Sequence, residues 1–320
     1  MKLSIIVPTR NRAKVLEKAL DSIANQTLSK NLFEVIVVDN GSTDETKTMV
    51  DSFAGKIENL VYIYDDTPGL HIGRHRGLLA SKSDILVYTD DDTEATPTWL
   101  EGIMESFKDE KVALVGGKNL PNFESNPPAW VQKEWGKESP NKVLGALSIL
   151  DFGDGIKEIS PYYVFGCNFS IRKNILFEAG GFHPDGMPQE IIKYRGDGET
   201  HVSEYILEKK YKTIYNPKAS VYHLCSKDRM TKEYFTKRYY NQGISDSYNA
   251  IRNNKKISLT KRKIKSIVNK YLLGKDVARE IAYLDGFTYH QNVVKQDSLL
   301  LEWVKRDSYI YNGSIPQDAK

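Results

Sequence analysis

The sequence predicts an α/β fold in which helices cover both faces of a doubly wound, mostly parallel sheet. Short unbroken runs of Val, Ile and Leu recur through residues 1–118. Stretches with the spacing of amphipathic helices separate these runs. The runs lack the alternation of polar and apolar residues that a half-exposed strand shows. Both faces of each strand must therefore be covered, as in a parallel sheet between two layers of helices.

Five strands and four helices are predicted in this part of the chain. The predicted strands are residues 3–7, 35–38, 60–64, 85–88 and 112–115. Two predicted helices cover residues 15–23 and 72–80, and two more begin at Asp44 and at Pro97. Proline suits the first turn of the last helix, because its missing N–H would have no partner there. Strands and helices thus alternate along the chain.

The remainder of the chain is less regular. Residues 119–163 contain five prolines and no long period, so we expect an irregular insertion that contributes to a substrate site. Helices at 172–179 and 200–209 and strands at 212–215 and 220–223 follow. Beyond Cys225 the sequence becomes helical and basic, and we expect the last dozen residues to be frayed. We therefore predict a domain of residues 1–225, with halves 1–118 and 119–225, and a mainly helical extension of residues 226–320.

Composition excludes several classes of protein. Of 320 residues, 40% are hydrophobic and 27% are charged, which is typical of soluble globular chains. No apolar run approaches the 18 residues of a membrane span, and the five-residue run near the N-terminus is too short for a secretory signal. The two cysteines suit a reducing compartment. We therefore expect a cytoplasmic protein.

Polar residues follow three of the predicted strands, at the sheet edge where ligands bind in open α/β folds. They are Pro8, Thr9, Arg10 and Arg12 after the first strand, Asp39 and Asn40 after the second, and Asp90, Asp91 and Asp92 after the fourth. A dinucleotide site is disfavoured, because the turn after the first strand contains no glycine to let the backbone approach a pyrophosphate. The sequence therefore predicts a different kind of site at this edge.

The three adjacent aspartates are the sharpest feature of this edge. In an extended segment, Asp90 and Asp92 point to the same side. Two such carboxylates suit Mg²⁺ or Mn²⁺, which prefer oxygen ligands and share their shell with phosphates. The alternative is that the aspartates only supply negative charge to the N-terminus of the following helix. The polar residues at the other two strand ends favour a metal–diphosphate site.

Five motifs, in this order, resemble those of the family 2 glycosyltransferases with the GT-A fold. They are SIIVPTRNR (4–12), VIVVDNGSTDET (35–46), PGLHIGRHRGLLASKSDILVYTDDDT (68–93), GCNFSIRKNILFEAGGF (166–182) and GDGETHVSEYILEKKYKTIYNPKASVYH (196–223). The resemblance implies an inverting enzyme that moves a sugar from a nucleotide-sugar donor, UDP-linked, to a hydroxyl acceptor. It also implies Mn²⁺ or Mg²⁺ as cofactor and a role in polysaccharide or glycoconjugate synthesis.

The resemblance implies roles for individual residues. The nucleotide sugar would contact Pro8, Thr9, Arg10, Arg12, Asp39, Asn40, Arg74, Asp90 and Asp91, with Asp39 on the nucleobase, and the metal ligands would be Asp92, Asp90 and His223. Gly166 and Asn168 would lie on the acceptor side. Glu199 aligns best with the catalytic base, because Val202 then falls on the family's apolar helix position, and Asp197 is the runner-up.

Two departures from the family pattern leave choices open. Residues 73–75 read Gly-Arg-His where the family often has Ala-Arg-Asn, and residues 197–199 read Asp-Gly-Glu in place of a Glu-Asp pair. Asp197 and Glu199 would also suit the capping and first turn of a helix. Both roles can hold together, so the base is not fixed by sequence.

Four aromatic side chains carry open alternatives. His71 and His75 flank the glycine of the third motif and either touch phosphate or belong to the core. Trp130 and Trp135 lie in the insertion and either stack on an acceptor sugar or pack a local core.

Two other functions stay open: a catalytically idle sugar-nucleotide-binding or scaffold protein of the same fold, and a nucleotidyltransferase. The complete Asp-x-Asp motif at Asp90 and Asp92, with Asp197 and Glu199, argues against the first. A nucleotidyltransferase normally has a glycine-rich loop after its first strand, and residues 8–12 contain no glycine.

A net charge of +3 conceals a basic segment, in which residues 226–270 hold 13 Lys and Arg against 3 Asp and Glu. Three interpretations remain open: an amphipathic helix on the anionic inner face of a membrane, helices packed on the catalytic domain with lysines facing water, or a lid that places Arg229 or Arg238 on the leaving diphosphate. We expect a glycan, lipid-linked or protein acceptor and no nucleic-acid partner.

Overall fold

The computed structural model describes residues 1–136 and 141–316. The strands are β1 (Leu3–Thr9), β2 (Phe33–Asp39), β3 (Leu60–Tyr64), β4 (Ile85–Thr89), β5 (Thr93–Ala95), β6 (Val112–Gly116), β7 (Asn119–Phe123), β8 (Lys142–Leu144), β9 (Ile149–Asp151), β10 (Lys157–Glu158), β11 (Asn168–Arg172), β12 (Lys212–Tyr215) and β13 (Val221–Cys225). The helices are α1 (Ala13–Ala24), α2 (Thr46–Asp51), α3 (Leu70–Ala80), α4 (Trp99–Ser106), α5 (Ala129–Trp135), α6 (Lys173–Glu178), α7 (Thr200–Glu208), α8 (Lys232–Arg252), α9 (Thr260–Tyr271), α10 (Ala278–Gln296) and α11 (Ser298–Lys305).

The predicted fold class is confirmed by the main sheet. Its eight strands run in the order β10-β12-β6-β11-β4-β1-β2-β3. Strand β1 pairs in parallel with both β2 and β4, and β2 pairs in parallel with β3. Strand β11 is antiparallel to both of its neighbours. The carboxyl ends of β1, β2 and β4 therefore lie side by side at one edge.

Two hydrophobic clusters cover the two faces of this sheet. Ile5 and Val7 of β1 belong to one cluster and Ile6 belongs to the other, because successive side chains of a strand point to opposite faces. Helix α3 lies close to β1 at Gly77, where a Cβ atom would come within 2.3 Å of the Ile6 side chain. This close approach fixes α3, and with it Arg74, against the sheet.

The insertion at residues 119–163 is more ordered than the sequence predicts, within the part that the structure describes. Strands β7, β8 and β9 join β5 and β13 in a second sheet, with the order β5-β13-β7-β9-β8, and β10 extends the main sheet. These strands are two to five residues long. Such short strands give too few residues for a detectable period, which is why the sequence analysis missed them.

The C-terminal segment corrects a second prediction. Tyr309 and Ile310 are buried, and the backbone carbonyls of Tyr309 and Gly313 accept hydrogen bonds from the rings of His75 (3.1 Å) and His71 (3.0 Å). A frayed tail is therefore wrong for residues 309–313, while 317–320 lie outside the described residues. The two histidines belong to the core rather than to a phosphate site.

The helices after β13 pack against earlier parts of the chain. Tyr248 of α8 and Trp303 of α11 share a hydrophobic cluster with Tyr194. Helices α8 and α10 touch closely at Gly243, where a Cβ atom would lie 2.1 Å from the Tyr283 carbonyl oxygen.

The domain boundary at residue 225 stays a prediction. No helix among the described residues is both long and apolar enough to span a bilayer.

Candidate functional site

A cavity of about 300 Å³ lies at the carboxyl ends of β1 and β4, and we call it the strand-end cavity. It is lined by Pro8, Thr9, Arg10, Arg12, Asn40, Gly69, Leu70, Asp90, Asp91, Asp92, Gly186 and Arg229. Eight of these residues are the candidates that the sequence places at strand ends, and the parallel strands bring them together. Gly69, Leu70, Gly186 and Arg229 come from loops and helices whose position no strand pattern reveals.

The three aspartates of the cavity have different partners. Asp91 accepts hydrogen bonds from Thr9 Oγ1 (2.8 Å) and from Arg12. Burial raises the pKa of Asp91 to about 7, although Arg12 opposes the increase. Asp91 therefore links the end of β4 to the end of β1 by hydrogen bonds, whereas Asp90 and Asp92 contact other residues.

Asp92 is surrounded by positive groups. Its Oδ2 accepts a hydrogen bond from Arg12 Nη2 (3.0 Å) and lies 2.9 Å from Arg229 Nη2. Burial favours the protonated form, but His223, Arg229 and Arg12 together hold the pKa of Asp92 well below its usual range. Its other oxygen, Oδ1, is buried without a hydrogen-bond partner and lies 3.4 Å from His223 Nε2.

The ring of His223 is fixed in one orientation by the turn between β8 and β9. Its Nδ1 donates a hydrogen bond to the Leu147 carbonyl oxygen (2.8 Å), so Nε2 is the nitrogen that faces Asp92. Burial lowers the pKa of His223, but the nearby Asp92 carboxylate outweighs burial and raises the pKa to about 9. A ring nitrogen oriented by a backbone carbonyl is the usual arrangement of a metal-binding histidine.

Another set of side chains with metal-ligand atoms includes a residue that the sequence analysis did not predict. Asp90, Cys167 and His223 bring one ligand atom each to within 4.8 Å of one another. The sequence analysis did not propose Cys167 as a ligand. A single cysteine just before a strand has no neighbouring cysteine or histidine at the spacing of a metal-binding motif. Burial raises the pKa of the Cys167 thiol well above its usual value, so the thiol is neutral here.

Arg74 joins the strand-end cavity to Glu199. Its guanidinium is buried, with Nη2 3.7 Å from Asp90 Oδ1 and Nη1 3.5 Å from Glu199 Oε2. The Gly166 N–H donates to Glu199 Oε1 (3.2 Å), and a Cβ atom at Gly166 would lie 2.2 Å from Arg74 Nη2. Glycine at this position therefore leaves the space that the guanidinium occupies.

The structure separates the two candidate bases. Asp197 is buried, and its oxygens accept hydrogen bonds from His183 Nδ1 (2.5 Å) and Asn249 Nδ2 (3.1 Å). Burial raises the pKa of Asp197, but His183 and Asn249 outweigh it and lower the pKa below its usual value. Glu199 is the N-cap residue of α7, and no side chain caps this helix. Helix capping by the Asp197 side chain therefore does not account for the presence of these two acidic residues.

Asp39 and Asn40 lie at the end of β2. The Asp39 carboxylate accepts hydrogen bonds from the Ser42 N–H (2.7 Å) and the Tyr62 hydroxyl (2.7 Å), and it lies outside the cavity lining. The Asn40 Nδ2 is buried without a hydrogen-bond partner, and Asn40 lines the cavity. The Nδ2 group of Asn40 is therefore free to donate a hydrogen bond to a ligand, whereas the Asp39 carboxylate already accepts two hydrogen bonds from the protein.

Two predicted acceptor-side residues have structural partners. Asn168 is buried, accepts a hydrogen bond from Trp99 Nε1 (2.9 Å) and donates one to the Ala219 carbonyl oxygen (2.9 Å). Trp130 packs edge-to-face on Phe235, with ring centroids 4.8 Å apart. Asn168 is therefore engaged inside the fold, and its acceptor-side role stays a prediction, whereas the packing of Trp130 favours its local-core interpretation.

A second cavity, of about 450 Å³, lies between the insertion and helices α8 and α10. Its lining includes Arg195, Arg238 and Arg279, and we call it the arginine cavity. Arg195 pairs with Asp185 (2.7 Å), and Arg279 pairs with Glu134 (2.9 Å). Among the residues that the structure describes, Arg238 has no ion-pair partner within 4.0 Å.

Comparison with known proteins decides the family. Residues 4–184, more than half of the chain, match the family described as glycosyl transferase family 2. The chain belongs to glycosyl transferase family 2. It is 25% identical over 249 residues to the glucosyl-dolichyl phosphate glucuronosyltransferase of Haloferax volcanii, and the alignment covers 77% of this chain and 76% of that protein. This glycosyltransferase is also 36% identical over 116 residues to glycosyltransferase AglE of the same organism, covering 36% and 38% of the two chains.

Solved structures agree on the fold of this glycosyltransferase. The mannosyltransferase PcManGT from Pyrobaculum calidifontis, in complex with GDP-Man and Mn²⁺, aligns with a TM-score of 0.56 at 17% identity, over 97% of this chain and 84% of that one. Residues 1–349 of S. aureus TarS, in complex with UDP-GlcNAc, align with a TM-score of 0.51 at 17% identity, over 92% of each chain. At this identity the likeness establishes the GT-A type fold.

Proposed function

We propose that this family 2 glycosyltransferase moves a sugar from a UDP-linked donor to an acceptor hydroxyl by a single displacement with inversion. The observation that carries the proposal is the pairing of Arg74 with Asp90 on one side and with Glu199 on the other. One buried cation thus joins the carboxylates of the strand-end cavity to a second carboxylate outside it. Donor binding and proton removal are the two tasks for which such an enzyme needs separate acids.

The donor would bind in the strand-end cavity. Arg12 and Arg229 line the cavity and bring positive charge to the position where a diphosphate would lie. The free Nδ2 group of Asn40 offers a hydrogen bond to the nucleoside, next to Asp39 at the end of β2. Arg229 reaches the cavity from the short 3₁₀ helix Lys227–Met230. This position supports the part of the lid hypothesis that places Arg229 on the leaving diphosphate.

A divalent ion, Mn²⁺ or Mg²⁺, would be held by Asp92, Asp90 and His223. Two observations support the fit: Asp92 Oδ1 is buried without a partner, and His223 presents Nε2 towards it. The ion, when bound, supplies positive charge to offset the negative charge that builds on the leaving diphosphate. The guanidinium groups of Arg12 and Arg229 contact the other oxygen of Asp92, Oδ2, and would add positive charge beside the ion.

Glu199 would be the catalytic base. Its carboxylate is partly exposed and is oriented by two contacts, the Gly166 N–H and the Arg74 guanidinium. It would take the proton of the acceptor hydroxyl as that oxygen attacks the sugar from the face opposite the leaving group. Asp197 is the less suitable acid, because both of its oxygens are engaged inside the fold.

The acceptor would be a glycan, lipid-linked or protein hydroxyl, with the arginine cavity as its binding region. Arg195 of the arginine cavity pairs with Asp185, and the next residue in the chain, Gly186, lines the strand-end cavity, so the two cavities adjoin. Arg238, which has no ion-pair partner among the described residues, favours an acceptor that carries negative charge. The name of the Haloferax volcanii glucuronosyltransferase specifies a lipid-phosphate-linked sugar, which fits this chemistry.

A thermal-shift screen tests the donor assignment. UDP-, GDP- and dTDP-linked sugars are added to the protein with and without Mn²⁺, because a ligand that binds the folded state raises the melting temperature. We expect a UDP-sugar to give the largest increase, and Mn²⁺ to enlarge it. A larger increase with a GDP- or dTDP-sugar would overturn the UDP assignment, and no increase with any of them would overturn nucleotide-sugar binding.

A further inference from the structure

Helix α9 presents its apolar side to solvent instead of to the protein. Ile264, Ile267, Val268 and Tyr271 recur at helical spacing on one side and are exposed, by 57% in the case of Ile267. Leu272 and Leu273 continue this apolar surface and are also exposed. The interpretation that these positions pack on the catalytic domain is therefore wrong.

The opposite side of α9 faces the protein and is polar. Ser266 is the buried residue of the helix, and the Arg262 guanidinium lies 4.3 Å from the centre of the Tyr283 ring of α10. Arg262, Lys265, Ser266 and Asn269 line a cavity of about 270 Å³ together with residues of α8 and α10. Because globular proteins normally turn the apolar side of a helix inwards, an outward apolar side indicates a partner.

Charge identifies the class of partner. The chain between Asp246 and Asp276 contains nine Lys and Arg residues and no acidic residue. A symmetric dimer through α9 would bring this same positive surface against itself, and like charges at an interface oppose association. An exposed apolar helix side flanked by lysines is the pattern of helices that lie in the interface of an anionic bilayer.

We propose that α9, with residues 272–273, docks this glycosyltransferase on an anionic lipid surface. The apolar side enters the boundary between headgroups and acyl chains, and Lys261, Lys263 and Lys270 contact the lipid phosphates. The proposal concerns binding and is independent of the donor, the metal and the base.

The position of α9 relates this surface to the arginine cavity. Tyr239 of α8 lines both the cavity beneath α9 and the arginine cavity. A protein held on a bilayer through α9 would therefore present the arginine cavity beside the lipid headgroups. A lipid-linked acceptor would reach the enzyme from that direction.

Vesicle flotation of the full-length protein tests the proposal. One vesicle preparation contains phosphatidylcholine alone, and the other contains equal parts of phosphatidylcholine and phosphatidylglycerol. We expect flotation with the anionic vesicles at low salt and a clear decrease at moderate salt, because the Debye length falls to about 10 Å at 0.1 M salt. No binding to anionic vesicles at low salt would overturn the proposal.

Matched variants separate the helix from general hydrophobicity. Ile267→Ser should lower the partition coefficient about tenfold or more, whereas Ile156→Ser, at a residue that is 55% exposed far from α9 in sequence, should leave it unchanged. Both side chains are exposed, so both variants should keep the melting temperature of the wild type. Equal flotation of the two variants would overturn the role of α9. So would a wild-type dimer, seen by light scattering, that Ile267→Ser dissociates in the absence of lipid.

Discussion

Arg74 and Glu199 form an ion pair beside the strand-end cavity, with Nη1 of the arginine 3.5 Å from Oε2 of the glutamate. The same guanidinium lies 3.7 Å from Asp90. Helix α3 carries the arginine and the N-terminus of α7 carries the glutamate, so the pair links two parts of the chain that are more than a hundred residues apart. The position of the proposed base thus depends on the position of Arg74.

Gly166→Ala should disturb this pair. The added Cβ atom would lie 2.2 Å from Arg74 Nη2, and the buried guanidinium has little space into which it can move. We expect a loss of transfer rate on the order of 10²-fold, the effect of misplacing a catalytic group by about 1 Å. Gly55→Ala, where no atom lies within 4 Å of the new Cβ, is the control. Equal kcat/KM values for the two variants would show that Arg74 does not position the base.

Glu199→Gln should remove the base while keeping the fold. The amide still accepts the Gly166 N–H but cannot take a proton, so the transfer rate should fall by roughly 10²–10⁴-fold. Donor binding, measured by calorimetry, should be unchanged. A rate close to that of the wild type would exclude Glu199 as the base.

Asp197→Asn should affect stability more than it affects transfer. Removing this buried charge breaks its pair with His183 and should lower the melting temperature at neutral pH. Since the folded protein lowers the pKa of Asp197, its stabilisation is complete above the unfolded value of about 3.9 and is lost as the pH falls through the folded value. The difference in melting temperature should therefore shrink below about pH 4. If Asp197→Asn instead lost rate while Glu199→Gln did not, the two roles would be exchanged.

Tyr309→Ala should destabilise the protein strongly. Tyr309 is fully buried, its hydroxyl donates to the Trp303 carbonyl, and its ring packs against Trp303 and His71. We expect the free energy of unfolding to fall by about 3–5 kcal/mol, the usual cost of removing a buried aromatic ring. Tyr311→Ala, at a side chain that is 72% exposed, should cost little. Equal denaturant midpoints would contradict the buried position of this segment.

The sequence predicts the parallel half of the fold well because local patterns determine it. Unbroken apolar runs mark β1, β2 and β4, and the polar residues that follow each of them must meet at one edge once the sheet is parallel. Eight lining residues of the strand-end cavity follow from that argument alone. The second sheet does not, because strands such as β8 are three residues long.

Other parts of the site depend on contacts between distant segments. The hydrogen bond from Asn249 to Asp197 depends on where α8 packs, and Asn168 is held by hydrogen bonds to Trp99 and Ala219. The outward apolar side of α9 has the same periodicity as an inward one. Periodicity fixes which residues share a side of the helix, and packing decides where that side points.

Nucleotide binding by Asp92→Ala is the most direct test of the central claim, that the carboxylates at the end of β4 hold a metal ion against a donor diphosphate. The dissociation constant of UDP is measured by calorimetry with and without Mn²⁺, for the wild type and for the variant. We expect Mn²⁺ to tighten binding to the wild type, and to have no effect on the variant, which should also lack transfer activity. A variant with unchanged turnover, or with the Mn²⁺ dependence of the wild type, would contradict the metal–diphosphate account.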